Sequence, residues 1–79
     1  MKGYILDIKC QDRELAKMVE CCLRFLGSGS YAKPDDTSFQ INCNPMHVCI
    51  VTECCIRVSK SQGYGLKGVR FYHDGKELS

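Results

Sequence analysis

Cysteine and histidine are the side chains of this chain best suited to chemistry: seven cysteines and two histidines stand among 79 residues. A thiolate beside a histidine base is a nucleophile, and His47 and His73 are the available bases. No Cys-x5-Arg phosphate loop occurs anywhere, and no glycine-flanked serine sits at a strand-to-helix elbow. A domain this small also offers little scaffold to preorganise a catalytic constellation. The expectation is a chain that is not an enzyme. Zinc is the other chemistry that cysteines bring, and it needs ligand pairs at close spacing. Cys10, Cys21, Cys22, Cys43, Cys49, Cys54 and Cys55 contain no Cys-x2-Cys pair, and His47-x-Cys49 lacks a second half. Neither a metal nor a cofactor is expected. A disulfide scaffold is disfavoured by the odd count and by the adjacent pairs Cys21-Cys22 and Cys54-Cys55. Reduced cysteines acting as small buried hydrophobes are expected.

Two further patterns concern binding. Gly63-Tyr64-Gly65-Leu66-Lys67-Gly68 fits Gly-x-Gly-x-x-Gly, which holds phosphate when a strand precedes it and a helix follows. Here the strand-like Val69-Arg70-Phe71-Tyr72 follows instead, and a dinucleotide fold has no room. A mobile connection is expected, with Lys67 and nearby amides open to a phosphate. The second pattern interleaves cations with rings: Lys60, Tyr64, Lys67, Arg70, Tyr72, His73 and Lys76. Stacking surfaces beside cations are what single-stranded nucleic acid requires. On a strand, Arg70 and Tyr72 share one face and Val69 and Phe71 the other. An ordinary core with a solvated charged rim is the alternative.

Charge is distributed in the same sense. Residues 57–79 carry five basic and two acidic side chains, whereas residues 1–56 carry six and seven. A basic C-terminal third points to an acidic partner. Apolar residues make up 44% of the chain, as in a globular protein. The apolar runs at Tyr4–Leu6 and Val48–Val51 are too short for a signal or a membrane span. The chain is therefore expected to be a soluble, cytoplasmic single domain of residues 1–79, with no membrane partner.

Elements to position these groups follow from periodicity. Residues 4–9 alternate as a half-buried strand. A helix over 12–26 presents Leu15, Met18, Val19, Cys22, Phe25 and Leu26 on one face, with Asp12 as its N-cap and Gly27 or Gly29 closing it. Residues 30–43 read as a hairpin anchored by Tyr31 and Phe39, turning at Pro34-Asp35-Asp36. Residues 45–60 fit two readings. Asn44-Pro45 starts a helix well, with His47, Ile50, Val51, Cys54, Cys55 and Val58 on one face, but the β-branched content also suits a strand. The helix is preferred, because a strand of that length is unusual. Residues 68–78 form a closing strand with a turn at His73-Asp74-Gly75-Lys76. The fold class is α+β, an antiparallel sheet with two helices on one face in β-α-β-β-α-β order, a ferredoxin-like arrangement. Open sheet edges and the small core would both favour a homodimer.

Three segments carry a family resemblance: Tyr4-Ile5-Leu6-Asp7-Ile8, Asp12-Arg13-Glu14-Leu15 and Phe25-Leu26-Gly27-Ser28-Gly29-Ser30-Tyr31. Over residues 4–56 the chain resembles part of a LAGLIDADG-type homing endonuclease half. The helix whose end bears that family's metal-binding acid is absent, so the resemblance implies no endonuclease activity. It implies that the hairpin lies on DNA, with Tyr31, Lys33, Ser38, Gln40 and Asn42 at the facing positions. Asp35 and Asp36 depart from that role, because they would repel phosphate. Two functions are therefore expected of the chain. One is a non-catalytic module docking on nucleic acid or a nucleoprotein complex through Tyr31, Lys33, Lys60, Tyr64, Lys67, Arg70, Tyr72 and Lys76. The other is a protein-binding inhibitor or adaptor, of phage or mobile-element type, anchored on rings such as Tyr64 and Tyr72.

Overall fold

In the computed structural model, residues 3–26 and 31–78 are described. Strand β1 (Tyr4–Cys10) leads to helix α1 (Arg13–Phe25), the hairpin β2 (Tyr31–Asp35) and β3 (Ser38–Cys43), helix α2 (Val48–Ser61), and the hairpin β4 (Val69–His73) and β5 (Lys76–Glu77). The sheet has five strands in the order β2-β3-β1-β4-β5, and every neighbouring pair is antiparallel. This is an α+β domain with a five-stranded antiparallel sheet and two helices. The expected β-α-β-β-α-β order is not matched, because a seventh element follows β4. Asp74 (φ 51°) and Gly75 (φ 79°) both take left-handed conformations, the turn that folds two strands directly back on each other. The expected closing strand is therefore a short hairpin.

Alternation along the strands builds the core. Leu6, Ile8 and Cys10 of β1, Phe39 and Ile41 of β3, and Val69 and Phe71 of β4 are buried on one face. Leu15, Ala16, Val19 and Leu23 of α1 and Val51 and Cys55 of α2 join the same cluster. Both helices thus cover one face of the sheet.

Local chemistry explains the ends. Asp12 caps α1 as expected: its Oδ1 accepts from the Leu15 N–H at 2.9 Å. The expected α1 stripe is rotated toward Ala16 and Leu23, and Phe25 is 91% exposed. Cys22, on the same flank as Met18 and Phe25, is bonded to Cys54 of α2. The expected closure at Gly27 or Gly29 lies outside the described residues. Asn44 does cap a helical start, but of a short 3-10 turn, Pro45–His47, from which α2 continues. The strand alternative for residues 45–60 is thereby excluded, and Ile50, expected inside, is exposed. The first hairpin turns one residue later than expected, at Asp36-Thr37, where Asp35 accepts from the Thr37 N–H at 2.9 Å. Pro34 falls within β2, an edge strand where a missing N–H is tolerated.

The cysteines need a correction. Cys22–Cys54 is a disulfide joining the two helices, against the expectation of reduced thiols. Cys10, Cys43 and Cys55 are the small buried side chains anticipated, whereas Cys21 and Cys49 are exposed. Burial pushes the Cys55 thiol up to about 12; burial and the nearby Asp12 carboxylate push Cys10 up to about 11.

Candidate nucleic-acid interface

The helix-free face of the sheet is built by the strand positions that alternate with the core. Lys9 lies opposite Arg70, and Asp7 lies opposite Tyr72, across the β1–β4 ladder. On the other side of β1, Asp7 is registered with Gln40 and Lys9 with Ser38. Gln40 Nε2 donates to Asp7 Oδ1 at 3.1 Å, which fixes that carboxylate.

Lys67 reaches this face from the connection between α2 and β4. Far from being the mobile link expected of a glycine-rich run, residues 63–68 are pinned from several sides. The Ser59 hydroxyl, fully buried, donates to the Gly65 carbonyl at 2.6 Å. The Tyr64 hydroxyl donates to Asp12 Oδ2 at 2.6 Å, and the Gln11 N–H donates to the Gly68 carbonyl at 2.9 Å. Gly68 is required by space, since a Cβ there would fall on the Ser59 hydroxyl and the Tyr64 Cβ. The bond to Tyr64 couples the two partners electrically. The Leu15 N–H, then the Tyr64 hydroxyl, hold the Asp12 carboxyl below its ordinary value, while Asp12 pushes Tyr64 up to about 12.

Lys9, Lys67, Arg70 and Tyr72, with Cys10, Gln11 and Gly68, line a surface cavity of about 510 Å³. Arg70 Nε lies 3.9 Å from Glu77, a long and half-exposed pair. Lys9 and Lys67 form no ion pair among the described residues. Lys9 does act at longer range on Asp35, the least of the influences that lower that carboxyl. Three cations and one ring thus meet at one concavity.

The other residues singled out from the sequence are dispersed. Tyr31 and Lys33 belong to the edge strand β2 and are turned to the helix layer. The Tyr31 hydroxyl donates to Glu20 Oε2 at 2.6 Å, and the Lys33 ammonium sits 5.5 Å from the centre of the Phe39 ring and 3.7 Å from Glu20. Their bonds and charges, Tyr31 first, lower the Glu20 carboxyl. Lys60 is exposed at the end of α2, and Lys76 is exposed in β5. Tyr64 is occupied by Asp12 and packs against the core. His73 stacks on Tyr4 with ring centres 3.8 Å apart. Of the eight candidates, Lys67, Arg70 and Tyr72 come together at this cavity, while Tyr31 and Lys33 meet elsewhere, at Glu20 and Phe39.

Lys9 is the member the sequence reading missed. Its signal was present, because the alternation of β1 puts Lys9 opposite in sense to the buried Ile8 and Cys10. Ser38, Gln40 and Asn42, singled out by the resemblance, alternate with the buried Phe39, Ile41 and Cys43 and so share the helix-free face.

A second concavity, about 470 Å³, lies between α2 and the β4–β5 hairpin. Its walls are mostly apolar, with Val48, Ile56, Leu66, Phe71 and Leu78, and it shares Lys67 and Arg70 with the first concavity. Among the described residues, no group of three or more His, Cys, Asp or Glu side chains is placed to hold a metal, and no helix is long and apolar enough to cross a membrane. No family model, no curated protein and no solved structure matches this chain.

Proposed function

We propose that this chain is a small non-catalytic binding module that docks on nucleic acid, alone or within a nucleoprotein complex, through the helix-free face of its sheet. One observation carries the reading: Lys9, Lys67 and Arg70 surround a single cavity beside Tyr72. Clustered cations attract phosphates, and a ring on a flat sheet face stacks with bases of any identity. The first six elements are read as a ferredoxin-like arrangement to which β5 is added. That reading leaves one whole sheet face for a ligand. The homing-endonuclease resemblance is taken in the same sense, with the contact moved. Tyr31 and Lys33 are engaged by Glu20 and Phe39, so β1 and β4 are assigned the main contact, joined by Gln40 and Asn42 of β3. The buried Cys10 and Cys55 thiols are held protonated and so make poor nucleophiles.

The test is fluorescence anisotropy of labelled single- and double-stranded DNA and RNA at two salt concentrations. Three phosphate contacts on a single strand give log K against log salt a slope of about −2. Lys67→Ala with Arg70→Ala is expected to bring the slope to about −0.7 and to weaken binding to every sequence. Unchanged affinity in that variant, or no binding at low salt, overturns the proposal.

A protein-binding adaptor is the second reading, favoured by the apolar cavity beside α2, where Leu66 is 64% exposed. It predicts a complex that persists at high salt, where the nucleic-acid complex dissociates.

A further inference from the structure

The helix-free face carries two adjacent rows of different character. In one, Gln40, Asp7, Tyr72 and Glu77 are registered in line across β3, β1, β4 and β5. In the next, Ser38, Lys9 and Arg70 are registered in line, with Lys67 at the same cavity. Two residues of strand separate the rows by about 6.6 Å. A nucleotide spans a comparable distance from its phosphate to its base. A phosphate on the cationic row therefore brings its base over Tyr72.

The flanks of Tyr72 then face the edge of that base. Both cross-strand neighbours are carboxylates, Asp7 on one side and Glu77 on the other. Asp7 is fixed by Gln40 through Oδ1, which leaves Oδ2 as an acceptor. The Gln40 carbonyl oxygen is a second acceptor beside it. Resting on the nucleic-acid reading above, we infer that this face selects a single-stranded base by its donors, and that the preferred base is guanine. Guanine presents an N–H and an NH2 side by side on its Watson–Crick edge, which suits two adjacent acceptors. Adenine and cytosine present one amine each. Uracil and thymine present a single N–H between two carbonyls, and the carboxylates repel those carbonyls. A duplex hides this edge, so a single strand is preferred.

The experiment compares short labelled oligouridylates with and without one central guanosine, adenosine or cytidine, against the intact protein and its Asp7→Asn variant. Asparagine keeps the shape and replaces one acceptor with a donor. Guanosine is expected to tighten binding about tenfold over uridine alone, adenosine and cytidine less. Asp7→Asn is expected to level the series and to bind the plain oligouridylate more tightly, because a negative charge is removed. Tyr72→Leu, a second variant, is expected to weaken all members of the series together. Equal affinities for all four strands overturn the base preference while leaving the nucleic-acid reading intact. A guanosine preference that survives Asp7→Asn overturns the assignment to Asp7. No binding to any strand overturns both.

Discussion

Reducing the Cys22–Cys54 bond is the sharpest perturbation of this fold. The bond joins α1 to α2 across 32 residues of sequence. Closing a loop of that length removes entropy from the unfolded chain equivalent to about 3.7 kcal/mol at room temperature. The total stability of a chain of 79 residues is on the order of 4–12 kcal/mol. The bond is thus a third or more of what holds the domain folded. Its loss should lower the melting temperature by roughly 15–30 °C, at about 4–8 °C per kcal/mol for a domain this small. The assay is urea and thermal denaturation of the oxidised protein, the reduced protein and the Cys22→Ala, Cys54→Ala variant. Thiol counting accompanies it. Alkylation of the denatured, unreduced chain should label Cys10, Cys21, Cys43, Cys49 and Cys55 alone, and in the native state only Cys21 and Cys49 should react quickly. Coincident oxidised and reduced melts would refute the reasoning, as would full alkylation of the unreduced chain.

Two further predictions concern the pinned connection before β4. Gly68→Ala drives a methyl group into the Ser59 hydroxyl, Tyr64 and Leu15, and should destabilise the fold by about 1–3 kcal/mol, read from the urea midpoint. The Asp12–Tyr64 bond predicts stability lost at both pH extremes. The Asp12 carboxyl lies below its ordinary 3.8, so its contribution is complete above that value and disappears as pH falls through the lowered one. Tyr64 is raised from 10.0 to about 12, so its contribution is complete below the first value and disappears as pH rises through the second. Ultraviolet titration should show a late-ionising tyrosine in the native protein, and Tyr64→Phe should remove it.

Elements with strong local signals were legible in the sequence, and features set by distant neighbours were not. The alternation of β1 and the Asp12 cap are properties of a few consecutive residues, and both stand in the structure. Helix α2 is β-branched, so its local preferences conflict; its sheet-facing side, Val51, Cys55 and Ser59, follows helical spacing. Strand β5 has two residues, too few for any period, although the turn before it was readable from Asp74-Gly75. The disulfide was hidden because cysteine connectivity depends on which helix faces meet. The candidate site divided along the same line. Lys67, Arg70 and Tyr72 stand close in sequence and were found together, whereas Lys9 reaches them only through the β1–β4 ladder. Tyr31, Lys33 and Tyr64 looked available as sequence, yet each is engaged by a carboxylate from another element.

The central place of β1 has a consequence for how the chain reaches this state. Its two sheet neighbours, β3 and β4, both come later, and β4 follows after two helices and a hairpin. Contacts this far apart in sequence form slowly, since each must wait for a large loop to close. While the chain is being synthesised, β1 has both edges bare, with Leu6, Ile8 and Cys10 uncovered until its partners arrive. A chain stopped after α2 would keep one of those edges open for good. Such a fragment should aggregate rather than persist as a smaller folded unit.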